Sequence, residues 1–250
     1  MGVIMNYKIR VLIISFIALP MGFAAAQAKA LPEVQTVQIK AADGLTLVGD
    51  YYPVLTDSGQ PRPAVLLLHI IGSNRHSWLP LIPSLWDTGY SVLTVDLRGF
   101  GDTGGEINWS AANTDVQTWL DWLREQPEVR PDAISIIGAS IGANLALIGC
   151  ANDADCVTAI ALSPGLIYYS LKPDINQLNK RSALLLASQN DHYSADSVKQ
   201  MVSGANGDIG ARIYGGTAHG THLFEGSDKV REGLIAAIIN WLDEHMPDGD

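Results

Sequence analysis

Between residues 133 and 147 a β-branched apolar run, Ala133-Ile134-Ser135-Ile136-Ile137, stops at Gly138. Ala139-Ser140-Ile141-Gly142 then leads into the helix-forming Ala143-Asn144-Leu145-Ala146-Leu147. Strand, glycine, serine, glycine, helix in that order requires the chain to turn within a few residues, too sharply for side chains on both flanks. A G-x-S-x-G so placed lifts one hydroxyl clear of a sheet at the start of a helix, where the dipole favours developing negative charge. Ser140 is therefore the candidate nucleophile. The pattern alone also fits a serine in a glycine-rich turn of an ordinary α/β domain; the flanking strand and helix favour the nucleophile.

The rest of the chain supplies a matching frame. Residues 34–40 and 45–52 alternate around Asp43-Gly44 and predict an antiparallel hairpin. Residues 64–68 form an unbroken apolar run, as expected of a strand buried on both faces. Beyond it, predicted strands at 91–95, 133–137, 157–162, 183–187 and 211–214 alternate with predicted helices at 79–87, 113–125, 141–150, 195–203 and 229–245. This rhythm implies a mostly parallel sheet with helices on both faces, and functional residues in the loops past the carboxyl ends of its strands.

A serine hydroxyl is a poor nucleophile at neutral pH and needs a base, which in turn needs an orienting acid. On this architecture the chain order is Ser, then Asp or Glu, then His. Asp191 follows the buried run 183–187, and a carboxylate there can hold an imidazole; a turn or helix cap is its alternative role, and Asp174 and Asp196 are its rivals. His219 lies in the glycine-rich loop Gly215-Gly216-Thr217-Ala218-His219-Gly220, after the last predicted strand, with His222 as local rival. Of two expected oxyanion donors, the first is the N–H of Ile141, and the second comes from His69-Ile70-Ile71-Gly72-Ser73.

Leu68-His69 with Gly72, Asp96-Leu97-Arg98-Gly99-Phe100-Gly101-Asp102, Gly138-Ala139-Ser140-Ile141-Gly142, Asp191 and His219-Gly220 together resemble the α/β-hydrolase superfamily, and are similar to its dienelactone-hydrolase-like and small-esterase branches. The resemblance runs from about residue 37 to the final predicted helix. It implies an eight-stranded-type, mostly parallel sheet without a large lid, with Ser140 as nucleophile, Asp191 as acid and His219 as base. The family usually carries His-Gly at the oxyanion loop, where this chain has His69-Ile70. A β-branched residue resists positive φ, so the second donor is expected to be Ile71, with Ile70 as the alternative. Gly99-Phe100-Gly101-Asp102-Thr103-Gly104 also matches a dinucleotide fingerprint, but 105–109 read as loop where that motif must open into a helix.

Lys8 and Arg10 precede the apolar residues 11–26 and an Ala26-Gln27-Ala28 cleavage pattern, so 1–28 read as a secretory signal peptide and 29–250 as one domain, periplasmic or secreted, with no stable membrane anchor after cleavage. Cys150 and Cys156, the only two cysteines, are then expected to form a disulfide. A formal net charge of −10 argues against nucleic acid as a partner. The expectation is an exported serine hydrolase acting on a small-molecule ester, with no metal or organic cofactor required. A peptidase or amidase of the same fold, or a non-catalytic binding protein on it, are the alternatives. The segment 165–181 is too short for a large lid, which suits small or exposed esters.

Overall fold

The computed structural model describes residues 34–56, 58–179 and 181–247; the expected signal peptide lies outside them. Among the described residues, eight strands form one sheet: β1 (Gln35–Lys40), β2 (Thr46–Tyr52), β3 (Arg62–Leu68), β4 (Ser91–Val95), β5 (Val129–Ala139), β6 (Cys156–Leu162), β7 (Ser182–Ser188) and β8 (Ile209–Tyr214). Their order is β1-β2-β4-β3-β5-β6-β7-β8. β1 and β2 pair antiparallel, β2 runs antiparallel to β4, and every later pair is parallel.

The two-residue period of the strands divides the core between the faces of the sheet. Leu66 and Leu68 of β3 point to one side, where they meet α2 (Trp109–Arg124), α3 (Ile141–Asn152) and α4 (His192–Ser203) through Val116, Trp119, Leu145 and Val198. Val65 and Leu67 point to the other, against α1 (Ile82–Asp87) and α5 (Asp228–His245) through Leu85, Leu234, Ile238 and Leu242. The run 64–68 is wholly buried, as its lack of alternation required. Each leucine so enclosed contributes about 1.5–3 kcal/mol of hydrophobic stabilisation.

Several boundaries differ from the sequence pattern, β5 among them, which starts at Val129 rather than at 133. α2 begins at Trp109 rather than 113, because Asn108 caps it by accepting from the Ala111 N–H at 3.0 Å. α4 begins at His192, directly after Asp191, rather than at 195. The helix expected over 79–87 is shortened to α1, whose first turn carries Pro83, and a 3-10 turn, Arg75–Trp78, precedes it. Trp78 and Trp119 are core residues, and Trp78 packs edge-on against Phe224. Cys150, near the end of α3, is disulfide-bonded to Cys156 at the start of β6. No helix among the described residues is long and apolar enough to cross a membrane.

Candidate active site

Ser140 stands at the turn between β5 and α3 with φ +53° and ψ −116°, a left-handed backbone that a non-glycine residue holds only when its surroundings impose it. Two constraints impose it. The Ser140 N–H donates to Leu162 O at 2.8 Å, and its carbonyl accepts from Ala143 N–H at 2.9 Å in the first turn of α3. Gly142 lets the start of α3 press against the end of β3: a Cβ there would overlap the carbonyl oxygens of Leu68 and His69. The Ile141 N–H is the first of α3 and has no carbonyl one turn back within the helix to receive it.

His219 and Asp191 arrive from the two neighbouring strand ends, past β8 and β7. Asp191 Oδ2 lies 2.7 Å from His219 Nδ1, and His219 Nε2 lies 2.7 Å from Ser140 Oγ. A carboxylate only accepts, so the ring proton sits on Nδ1 and Nε2 is left to accept from the serine hydroxyl. Ser140 is 5% exposed, while the His219 side chain is 37% exposed, so the pair is reachable from solvent along one side. Asp191 occupies the N-cap position of α4, yet its side chain makes no cap hydrogen bond and turns to His219 instead. The rivals are elsewhere: Asp174 caps the 3-10 turn Ile175–Leu178, Asp196 pairs with Lys199, and His222 pairs with Glu225 on the surface.

The loop after β3 is held by side chains. Leu97 N–H donates to His69 Nε2 at 2.9 Å, so His69 carries its proton on Nδ1 and donates it to Ile70 O at 2.6 Å. The Ile70 carbonyl also accepts from Ser73 N–H at 3.3 Å. In a trans peptide the N–H opposes the C=O, so the Ile71 N–H is turned away from the His69 ring. The left-handed residue of this loop is Gly72, φ +73°, and not Ile70. The doubt raised by a β-branched residue at position 70 therefore does not arise from its backbone; the Ile70 side chain packs over Gly220, next to His219. The far end of the loop is fastened by buried Arg75, which pairs with Asp50 at 2.8 Å, with Asp96, and with Asp102 at 2.8 Å.

Burial pushes His69 below the ordinary imidazole range of about 6.5; the Ile70 carbonyl and Asp96 act against that shift. The unfolded chain takes up this proton first as pH falls, so the contribution of neutral His69 is complete above about 6.5 and is lost progressively below it. Unfolding free energy measured from pH 7.5 to 5 is expected to fall more steeply in the wild type than in His69→Asn. Parallel curves would show that His69 does not titrate with folding.

The glycine-rich stretch 99–104 closes on itself. Gly99 N–H donates to Gly104 O at 2.6 Å, Gly104 N–H to Phe100 O at 3.0 Å, and Asp102 N–H to Asp96 at 2.8 Å. These N–H groups are committed within the loop, unlike those of a phosphate cradle. Phe100 stacks on Trp109 and Trp109 on Tyr169, at 6.3 and 5.4 Å, joining the loops after β4 and β6.

Three residues around the site escaped sequence reasoning. Ser163, just past β6, accepts from Gly220 N–H at 2.9 Å and so fixes the residue after His219. Asn144, the polar member of an otherwise apolar helix face, donates to Gly165 O and Leu171 O at 2.9 and 3.0 Å. Tyr168 sets its ring perpendicular to that of His219, with centroids 6.4 Å apart. A buried polar residue in α3 was a readable signal; nothing local marked Tyr168.

The chain matches the family model of the alpha/beta hydrolase fold over residues 63–202. It is 30% identical over 211 residues to the uncharacterised protein YfhR of Salmonella typhimurium, covering 79% of this chain and 68% of that one. Its fold is similar to a dienelactone hydrolase from Anabaena variabilis, with a TM-score of 0.71, 16% identity, and 87% of this chain and 100% of that one covered. It is also similar to the Pyrococcus furiosus esterase Pf2001, with a TM-score of 0.71, 20% identity, and 86% of this chain and 91% of that one covered.

Proposed function

The chain belongs to the alpha/beta hydrolase fold family, and from that premise we propose that it is an exported serine hydrolase that cleaves carboxylic esters of small or exposed substrates. The observation that carries this reading is the unbroken line Asp191–His219–Ser140, two contacts of 2.7 Å from three separate strand ends. In the proposed reaction Ser140 Oγ attacks the ester carbonyl while His219 Nε2 takes its proton, and Asp191 stabilises the imidazolium. The N–H groups of Ile141 and Ile71 receive the oxyanion; removing one such donor typically costs about a hundredfold or more in rate. His219 then protonates the leaving alcohol, and activates the water that hydrolyses the acyl-enzyme. Neighbours of the same fold that are named as an esterase and a dienelactone hydrolase support the choice of ester over amide. The Cys150–Cys156 bond supports an oxidising compartment.

The mature protein, offered short and long aryl esters beside aminoacyl arylamides, is expected to turn over the short esters fastest and to be labelled by a fluorophosphonate. Preferred cleavage of the arylamides would assign it as an amidase. Preferred cleavage of long-chain esters would contradict the small-substrate reading. Neither turnover nor labelling would leave only a binding role for the fold.

A further inference from the structure

The segment after β6 is built more firmly than a connecting loop requires. Gly165 is bonded to Asn144 in both directions, its N–H donating to Oδ1 at 3.0 Å and its carbonyl accepting from Nδ2 at 2.9 Å. Ile167 is bonded in both directions to the Tyr193 hydroxyl, at 3.1 and 2.7 Å. Tyr168 and Leu171 exchange both backbone hydrogen bonds, at 3.0 and 2.9 Å. These ties fix one side chain, Tyr168, whose ring lies edge-on to Tyr193 at 5.6 Å and perpendicular to His219.

Among the described residues the hydroxyl of Tyr168 is held more loosely than those of three other tyrosines, though Tyr214 Oη too makes only a 3.3 Å contact, to Gly233 O. Tyr51, Tyr90 and Tyr193 commit their protons to Glu128, Asp243 and Ile167 O at 2.9, 2.7 and 2.7 Å. Tyr168 Oη has only long contacts, 3.3 Å to Ser163 O and 3.3 Å to Ser194 Oγ, where a well-made O–H···O bond is about 2.7–2.8 Å. A part-buried phenol with a loosely committed proton is available to a better acceptor. Burial pushes this phenol above its ordinary range, so it remains a donor; the Ser194 and Ser140 hydroxyls work against that shift and the Asp191 carboxylate adds to it.

Strand order sets the side of Ser140 from which that hydroxyl comes. The sheet runs β3-β5-β6-β7-β8, with Ser140 at the end of β5. The loop of Ile71 follows β3, on one side of Ser140. Tyr168 follows β6, on the same side as Asp191 and His219. Resting on the serine-hydrolase reading above, the geometry points to Tyr168 as a hydrogen-bond donor to the leaving-group oxygen of the ester. When the tetrahedral intermediate collapses, the bond from the acyl carbon to the leaving oxygen breaks and its electron pair stays on that oxygen. His219 Nε2 transfers its proton there; the Tyr168 O–H shares the developing charge without giving its proton up. The benefit grows with the basicity of the leaving alcohol.

The test is Tyr168→Phe, which keeps the ring and removes only the hydroxyl, assayed on acetate esters of p-nitrophenol, phenol and ethanol. The kcat/KM for the ethyl ester is expected to fall about 10- to 100-fold, the loss of one hydrogen bond to a charged oxygen, while that for the nitrophenyl ester changes less than about threefold. Gly165→Ala is expected to reproduce this bias without removing the hydroxyl, because a Cβ there would stand 2.7 Å from Cε1 of Tyr193 and 2.8 Å from Cε2 and Cζ of Tyr168, displacing the two packed rings. An equal loss across the series, or no loss in Tyr168→Phe, would overturn the assignment. A wild type that neither turns over the series nor takes up a fluorophosphonate would overturn the hydrolase reading itself, a result distinct from a flat series.

Discussion

Replacing Ser140 by alanine is expected to abolish fluorophosphonate labelling and lower kcat on a short aryl ester by about 10⁴- to 10⁶-fold. The hydroxyl oxygen is the atom that His219 Nε2 faces at 2.7 Å, and the alanine leaves the base with nothing to activate. Structure is expected to persist. Alanine keeps the Cβ that the φ of +53° already accommodates, and the backbone bonds to Leu162 and Ala143 are untouched. A change of less than about 1 kcal/mol, or about 2–4 °C in Tm, should accompany the loss. Kinetics and thermal melts on the same preparation check this. A variant that is folded and still turns over ester at the wild-type rate would remove Ser140 from the reaction.

Asp191→Asn tests the second contact, and separates its two readings. As a helix cap, asparagine is as good as aspartate, so a capping residue would tolerate the change in both stability and rate. As the partner of His219, it would not. The amide would offer its N–H to Nδ1, moving the ring proton to Nε2, where it faces Ser140 and blocks proton uptake. A fall in kcat of about 10⁴-fold is expected, with stability reduced by less than about 1 kcal/mol through loss of a negative charge at the start of α4. Equal rates for the Asp191→Asn variant and the wild-type protein would remove Asp191 from the reaction.

Much of the frame was legible because its signals are local. The uninterrupted apolar run at 64–68 read as a doubly covered strand, and its residues are all fully buried. The glycines around Ser140 announced a sharp turn, and the structure shows Gly142 touching the end of β3. Boundaries were read less well where a polar side chain set them: the helix at 109 starts where Asn108 caps it, a choice that propensity over a window does not resolve.

The sequence by itself determined the layered α/β architecture, and it singled out Ser140, Asp191 and His219 as candidates and Cys150 and Cys156 as an expected pair, since strand periodicity and residue chemistry are properties of short stretches. Only the tertiary structure decided whether Asp191 caps or turns to His219, how His69 orients the Ile70 carbonyl, and that Tyr168 stands beside the imidazole. The Asp191–His219 and Ser140–His219 contacts join residues 28 and 79 positions apart, and the direction of one hydrogen bond across such a distance depends on packing between strand ends. No local pattern encodes that direction; it follows from which loops the sheet order brings side by side.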